Sequence, residues 1–399
     1  MRPELELLLC CVQVTPGAAT RERAEALLQA GLDWGFLREL ALFHGVMPVL
    51  QQNLDRIWPG AVPTAVQQEL ASDFAACAQR SLFFVGTLLS VLDLLSAHGI
   101  AAMPFKGPVL AASAYGDLAL RQFGDLDILV HGRNAIAARD LLVAHGFCFE
   151  LHLNRAQEAA FLRDYSAFEL TLGEGLLPLE LHWRLAESYF TFPLTTTELW
   201  EGRQSVSLAG RDVPTFSPED MLLVLCAHGC KHFWQRLVWI CDVQRLIAAT
   251  PQMDWAALLE RATRLGCARM LSLGLILAGD LLDATLPASV EQRARSDAVV
   301  VSLAVQARDW LVHNVQPQPV QWPAVRFHLN ARERRGDRVR YCAGLFFTPT
   351  PGDWEAVPLP PALFPLYYVL RPFRLIRQYG LRNMRAKHSG LRPAQRTGI

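Results

Sequence analysis

Between about residue 100 and residue 183 the hydrophobic period of this chain switches from that of helices to that of strands, and on either side it switches back. Apolar residues recur at helical spacing from Glu4 to about Ile57, with Asp33 as a cap, and again from Thr64 to Ala97, where His98-Gly99 closes the pattern. Short apolar or alternating runs follow at 100–105, 126–130, 147–151, 167–172 and 177–183, with a helix at 134–145 stopped by Gly146. After Ser217-Pro218-Glu219-Asp220, a helix start with acids in its first turn, helical spacing dominates to about Val315. The pattern predicts an α+β fold in which a small mixed β-sheet core is flanked by N-terminal and C-terminal helical regions. Pro59-Gly60 with Pro63, and later Pro317, Pro319 and Pro323, punctuate the chain into segments 1–63, 64–216, 217–316 and 317–399.

The strand at 126–130 begins in Asp125-Leu126-Asp127-Ile128-Leu129-Val130, with Lys106-Gly107 and Arg121 upstream. Alternate strand side chains share a face, so Asp125 and Asp127 are expected on one side and Leu126 and Ile128 on the other. Two carboxylates held that close repel unless a cation lies between them, which points to a Mg2+ site serving a polyphosphate. In Leu179-Glu180-Leu181-His182-Trp183 the same alternation puts Glu180 and His182 on one face. If that strand neighbours the first, three carboxylates converge; such a triad holds two divalent ions or takes a proton from an attacking hydroxyl. A lone Asp-x-Asp on a strand is more often a solvated edge, and it is the Lys-Gly corner before it and the acidic strand after it that favour the metal.

Taken together, Lys106-Gly107, Arg121, Asp125-x-Asp127 and Glu180-x-His182 resemble an uncharacterised nucleotidyltransferase family of the polymerase-β-like superfamily, often encoded near bacterial biosynthetic clusters. The resemblance is strongest over 100–183 and extends to His228-Gly229-Cys230-Lys231-His232, Trp239 and Asp242, and to the Thr-Pro-Thr-Pro-Gly-Asp-Trp stretch near Asp353. It implies that segment 64–216 is the nucleotidyltransferase core. It further implies that Asp125 and Asp127 ligate Mg2+, that Glu180 is the third ligand or base, and that Lys106-Gly107 meets the phosphates. Two ions are expected in the triad, and Arg121 and Lys231 are grouped with Lys106 and Gly107 as nucleotide-binding, Arg121 either anchoring the site by pairing with a carboxylate or capping a turn. Lys106-Gly107 stands where the superfamily has a Gly-Ser turn, so a lysine would neutralise phosphate where a serine donates a hydrogen bond.

The 226–232 segment also carries a zinc reading. On a helix, Cys226 and Cys230 share one face and His228 and His232 another, so the four cannot close on one ion, and the histidine pair without a glutamate is a weak signal. The helix is better used to supply cations: Lys231 and His228, three residues apart, are expected near phosphate or acceptor, with Asp242 orienting one of them and His182 in support; the alternative is a surface lysine beside a core-satisfied histidine.

Composition narrows the partners. Lys and Arg number 38, as do Asp and Glu, so no overall field recruits nucleic acid. From Arg371 onward there are basic residues and no acids, a run expected to be a solvated terminus. Nine cysteines without a repeating frame argue against a disulfide scaffold, and acids interrupt the apolar start as they would not in a secretory signal. The greasiest stretches, 81–95 and 270–282, are short and carry Asp93 and Asp280 near their ends, which fits buried helices better than spans. The expectation is a cytoplasmic protein with no membrane span. Dinucleotide, P-loop and nucleophile-elbow motifs are absent. The sequence thus points to Mg2+-dependent transfer of a nucleoside monophosphate from an NTP, ATP among them, to an unidentified small-molecule or peptide acceptor. The rival readings are a non-catalytic nucleotide- or peptide-binding module, and phosphoryl transfer from the γ position.

Overall fold

Strand β2 (Leu126–Val130) is the strand on which the sheet is organised, because it pairs on both sides. It runs antiparallel to β1 (Ala102–Phe105) and parallel to β5 (Leu177–His182). With β3 (Phe147–Cys148) and β4 (Ala167–Leu172) the order is β1-β2-β5-β4-β3, a mixed sheet within an otherwise helical chain. All five residues of β2 are buried, as expected for a strand with neighbours on both edges and cover on both faces. This computed structural model describes residues 1–173, 175–190, 192, 194–317 and 321–377. Pro319 of the expected linker and the basic run beyond Arg377 lie outside the described residues.

The fold class is the α+β arrangement that the pattern predicts. Helix Thr64–Ala97 has the predicted bounds, and Asp33 caps helix Trp34–His44 by accepting from the Phe36 amide at 3.0 Å. Ser217 caps helix Pro218–Lys231, accepting from the Asp220 amide at 3.2 Å. Some elements differ from the sequence reading. β3 is shorter than the 147–151 run, because as an edge strand it meets β4 only through Phe147 and Cys148. The hairpin β6 (Gln204–Leu208) with β7 (Arg211–Thr215) was not expected. Its signal was present: Val206, Leu208, Val213 and Thr215 flank Ala209-Gly210, whose φ values of 51° and 79° give a two-residue turn of the kind that joins tight hairpins.

The chain divides into two compact units. One comprises Met1–Phe149, Ser166–Leu185 and Phe192–Arg335, and holds the sheet and most helices; the other comprises Glu150–Tyr165, Ala186–Thr191 and Gly336–Ile399. In the first, helix Thr64–Ala97 is long and apolar enough to cross a membrane by composition alone, yet Phe84, Val85, Leu88, Val91 and Leu95 point inward, and Phe84 meets Phe123 edge to face. The nine cysteines are free thiols.

Candidate active site

The site is built where β1 ends and β2 begins. After Phe105 the chain turns at Lys106 with φ 56° and ψ −145°, a conformation costly for a residue with a Cβ, and Gly107 continues with φ 39°. The turn is held by an ion pair, Lys106 Nζ to Asp127 Oδ1 at 2.8 Å, with both side chains almost wholly buried. Burial opposes the charge on Lys106, but Asp127, Asp125 and Glu180 outweigh it and raise the pKa, so the ammonium persists at neutral pH.

The parallel register sets Asp127 beside Glu180 and Leu129 beside His182. The neighbour relation inferred from alternation is therefore present. His182 Nε2 lies 3.0 Å from a Glu180 oxygen and 3.2 Å from Asp127 Oδ1. Phe105 meets the His182 ring edge to face and stacks on Phe216, which fixes the imidazole laterally. Desolvation disfavours the imidazolium, but the two carboxylates prevail and raise its pKa to about 9. The same contacts hold Glu180, which is half-buried, well below the usual carboxylate range against partial desolvation, and Lys106 and Lys231 add to that effect.

Those values carry a stability prediction for the metal-free protein. An imidazole at about 9 when folded and about 6.5 when unfolded adds stability that is fully present below about 6.5 and lost as pH rises through about 9. Wild-type urea midpoints measured in chelator should fall across that window, and those of His182→Gln should stay flat there. Parallel profiles for the two proteins would contradict the charged pair.

Among the described residues, one group of three or more His, Cys, Asp or Glu side chains could share an ion: Asp127, Glu180 and His182, whose donor atoms all lie within 4.8 Å of one another. The predicted set contained Asp125 in place of His182. Asp125 precedes the first laddered residue of β2, so strand pairing does not hold it beside Asp127. It is still within electrostatic reach: burial first, then the Asp127 charge, pushes its pKa up to about 6 against the pull of Lys106. Two carboxylates and an imidazole fit a divalent cation. His182 is also oriented for it, because Nδ1 lies 3.3 Å from the Arg184 carbonyl; a proton kept there leaves the Nε2 lone pair toward the carboxylates.

Arg121 pairs with a carboxylate, one of the two roles expected of it, and its partner is Asp242. Arg121 donates Nε and an Nη to the two Asp242 oxygens, each at 2.8 Å, and the Tyr115 hydroxyl donates to Asp242 Oδ1 at 2.7 Å. With both oxygens so engaged, Asp242 is a buried anchor of the Lys-Gly corner segment to helix Leu237–Ala249 rather than the orienting partner of Lys231 or His228, and Arg121 belongs to that anchor rather than to an open phosphate cradle. The sequence offers a carboxylate pair for Arg121 but not its partner, because 121 positions separate the two and Tyr115 gives no motif.

Helix Pro218–Lys231 does bring His228 and Lys231 toward the sheet: Lys231 acts on Glu180, and desolvation followed by Lys106, His232 and Lys231 holds His228 well below the ordinary histidine value. His228, His232 and Trp239 form a ring cluster, with His228 and His232 centroids 4.6 Å apart. Cys226 and Cys230 face the core instead, as the helical spacing requires. There Trp234 is fully buried against Gly229 and Gly274. A Cβ on Gly229 would lie 2.6 Å from the indole. Gly229→Ala gains about 1 kcal/mol of helix propensity, but overpacking costs about 1–3 kcal/mol, so net destabilisation is expected in urea melts. A gain in midpoint would show that Trp234 can yield.

A cavity of about 700 Å³ lies at the other end of β1, lined by Ile100, Ala102, His131, Trp200, Arg203 and Val213 among others. Ala102 pairs with Val130 whereas Phe105 pairs with Asp127, so this cavity is separate from the carboxylates.

The family profile described as "Uncharacterised nucleotidyltransferase" matches residues 30–283, a span that contains the sheet, the Lys-Gly corner, the carboxylates and Asp242. The chain belongs to this uncharacterised nucleotidyltransferase family. Thr348-Pro349-Thr350-Pro351-Gly352-Asp353-Trp354, to which the sequence resemblance extended, lies beyond the match. A crystal structure of an antigenic nucleotidyltransferase-like protein from Paracoccidioides brasiliensis is similar at 17% identity, covering 51% of this chain and 94% of that one with a TM-score of 0.29. No curated protein matches.

Proposed function

We propose that this family member transfers a nucleotidyl group from an NTP, in a divalent-cation-dependent reaction, to an acceptor bearing a hydroxyl or phosphate. The observation that carries the reading is the convergence of Asp127, Glu180 and His182 donor atoms from adjacent parallel strands, beside a buried lysine at a strained Lys-Gly corner. Asp127, Glu180 and His182 would hold the cation, Mg2+ being the first choice for the carboxylates and Mn2+ also suiting the imidazole. When bound, the ion would neutralise charge on the phosphates. Lys106 would meet a polyphosphate oxygen, a role its persistent charge supports, and Lys231 at the end of its helix would add a second cation.

The acceptor oxygen attacks the α-phosphorus, a new P–O bond forms, and the bond to the β-phosphate breaks with pyrophosphate as leaving group. The acceptor proton needs a base. Asp125, pushed up to about 6, is better matched to that task than Glu180, which is held ionised and is better matched to a cation. One competing reading has a specific observation behind it. Lys106 and His182 already occupy Asp127 Oδ1, an arrangement that would also serve a nucleotide-binding module without transfer.

Incubation with each NTP, Mg2+ or Mn2+, and candidate acceptors, read by pyrophosphate release and product mass, separates the readings. A nucleotidyl adduct with stoichiometric pyrophosphate is expected. A phosphate adduct would place attack at the γ position, and nucleotide binding without product would leave the binding module.

A further inference from the structure

Two helices that each reach toward the carboxylates meet in a group of rings. His228 and His232 stand one turn apart at the end of helix Pro218–Lys231, with ring centroids separated by 4.6 Å, and Trp239 stands in the first turn of helix Leu237–Ala249. The indole meets His228 edge to face at 5.4 Å and His232 at 5.3 Å. All three residues are partly exposed, whereas Trp234, five positions before Trp239, is wholly buried. Trp234 fills the core; the other three rings keep surface that a further ring can cover.

The group is tied to the site from both sides. Lys231 follows His228 by three residues, on the same side of the helix, and its charge reaches Glu180. Asp242 follows Trp239 by three residues and receives Arg121 at 2.8 Å and the Tyr115 hydroxyl at 2.7 Å, both from the segment after the Lys-Gly corner. Desolvation first, then Lys106, His232, Lys231 and Arg121, hold His228 well below the ordinary histidine value, so this ring is uncharged at neutral pH although cations surround it.

The cations suit phosphates and the rings suit a flat heteroaromatic group, and an NTP carries both in one molecule. Resting on the nucleotidyl-transfer reading above, we propose that Trp239, with His228 and His232, forms the subsite on which the nucleobase of the NTP stacks. A ring on the acceptor has the same stacking chemistry, but Lys106 and Lys231 beside the group favour the molecule whose phosphates they neutralise. A purine, with the larger face, should gain more from the stack than a pyrimidine.

The test compares binding of inorganic triphosphate, ATP and CTP to the full chain in Mg2+, by calorimetric titration and tryptophan fluorescence, for wild type, Trp239→Leu and Trp239→Phe. Wild type should bind ATP more tightly than CTP or triphosphate, with indole quenching by ATP that triphosphate does not produce. Trp239→Leu should weaken ATP at least about 10-fold, leave triphosphate within about 2-fold and lose the quenching, while Trp239→Phe keeps a ring face and recovers most of the affinity. Triphosphate is also the folding control, because a variant that unfolds loses both ligands. Unchanged ATP affinity in Trp239→Leu overturns the subsite, and slower transfer at that unchanged affinity would give the rings to an aromatic acceptor. Equal weakening of ATP and triphosphate also overturns it, by reducing the cluster to a packing contact. Failure of wild type to bind triphosphate in Mg2+ would instead overturn the transfer reading, and the subsite with it.

Discussion

Asp127→Asn is expected to lower nucleotidyl transfer by at least about 10³-fold and to remove metal-dependent NTP binding, with the protein still folded. Asp127 is the common partner in the site: Lys106, His182 and, across the ladder, Glu180 all converge on it. An amide keeps the shape but neither the charge that holds Lys106 nor a strong cation ligand. The denaturation midpoint should fall as well, because a buried ammonium loses its nearest anion, while Asp125 and Glu180 still offset part of the charge. Asp125→Asn is the informative companion: if Asp125 serves as base, turnover falls while cation-dependent nucleotide affinity is retained. Pyrophosphate release and nucleotide titration read the two effects separately. Unchanged transfer in Asp127→Asn would falsify the proposed chemistry.

Asp242→Ala is expected to be the most damaging substitution for stability. It strips Arg121 of both hydrogen-bonded oxygens and Tyr115 of its acceptor, leaving a guanidinium that is 7% exposed without its counter-charge. Breaking a buried pair from one side costs about 3–5 kcal/mol, far more than the pair contributes against a well-packed apolar replacement. The urea midpoint should drop accordingly, with Asp242→Asn intermediate. The double variant Arg121→Met/Asp242→Leu should recover much of the loss, because it removes both charges. A loss below about 1 kcal/mol in Asp242→Ala, with turnover nonetheless abolished, would instead favour a direct role for Asp242 at the phosphates.

How much of this was readable in advance differs between residues. Asp127, Glu180 and His182 were legible because strands alternate with a fixed period of two, so any run such as Leu-Glu-Leu-His announces which residues share a face. The segment boundaries of helix Thr64–Ala97 and the capping roles of Asp33 and Ser217 were legible for a similar reason, since caps act within three residues. Asp125 lies one residue before the ladder that enforces the alternation, so its place beside Asp127 is set by burial and charge rather than by strand pairing. The hairpin β6–β7 was overlooked although Ala209-Gly210 carried its turn.

By itself the sequence determined the local periods, and with them the α+β class, the short strands and the acidic positions on their faces. Only the tertiary structure decided that β2 and β5 lie side by side in parallel, in the register that sets Asp127 against Glu180. It alone decided that Arg121 meets Asp242. Local structure follows from sterics and hydrogen bonds among near neighbours, which the order of residues encodes directly. Pairings across many residues depend instead on which surfaces the folded chain can bury together, and periodicity fixes a face without naming the face it meets.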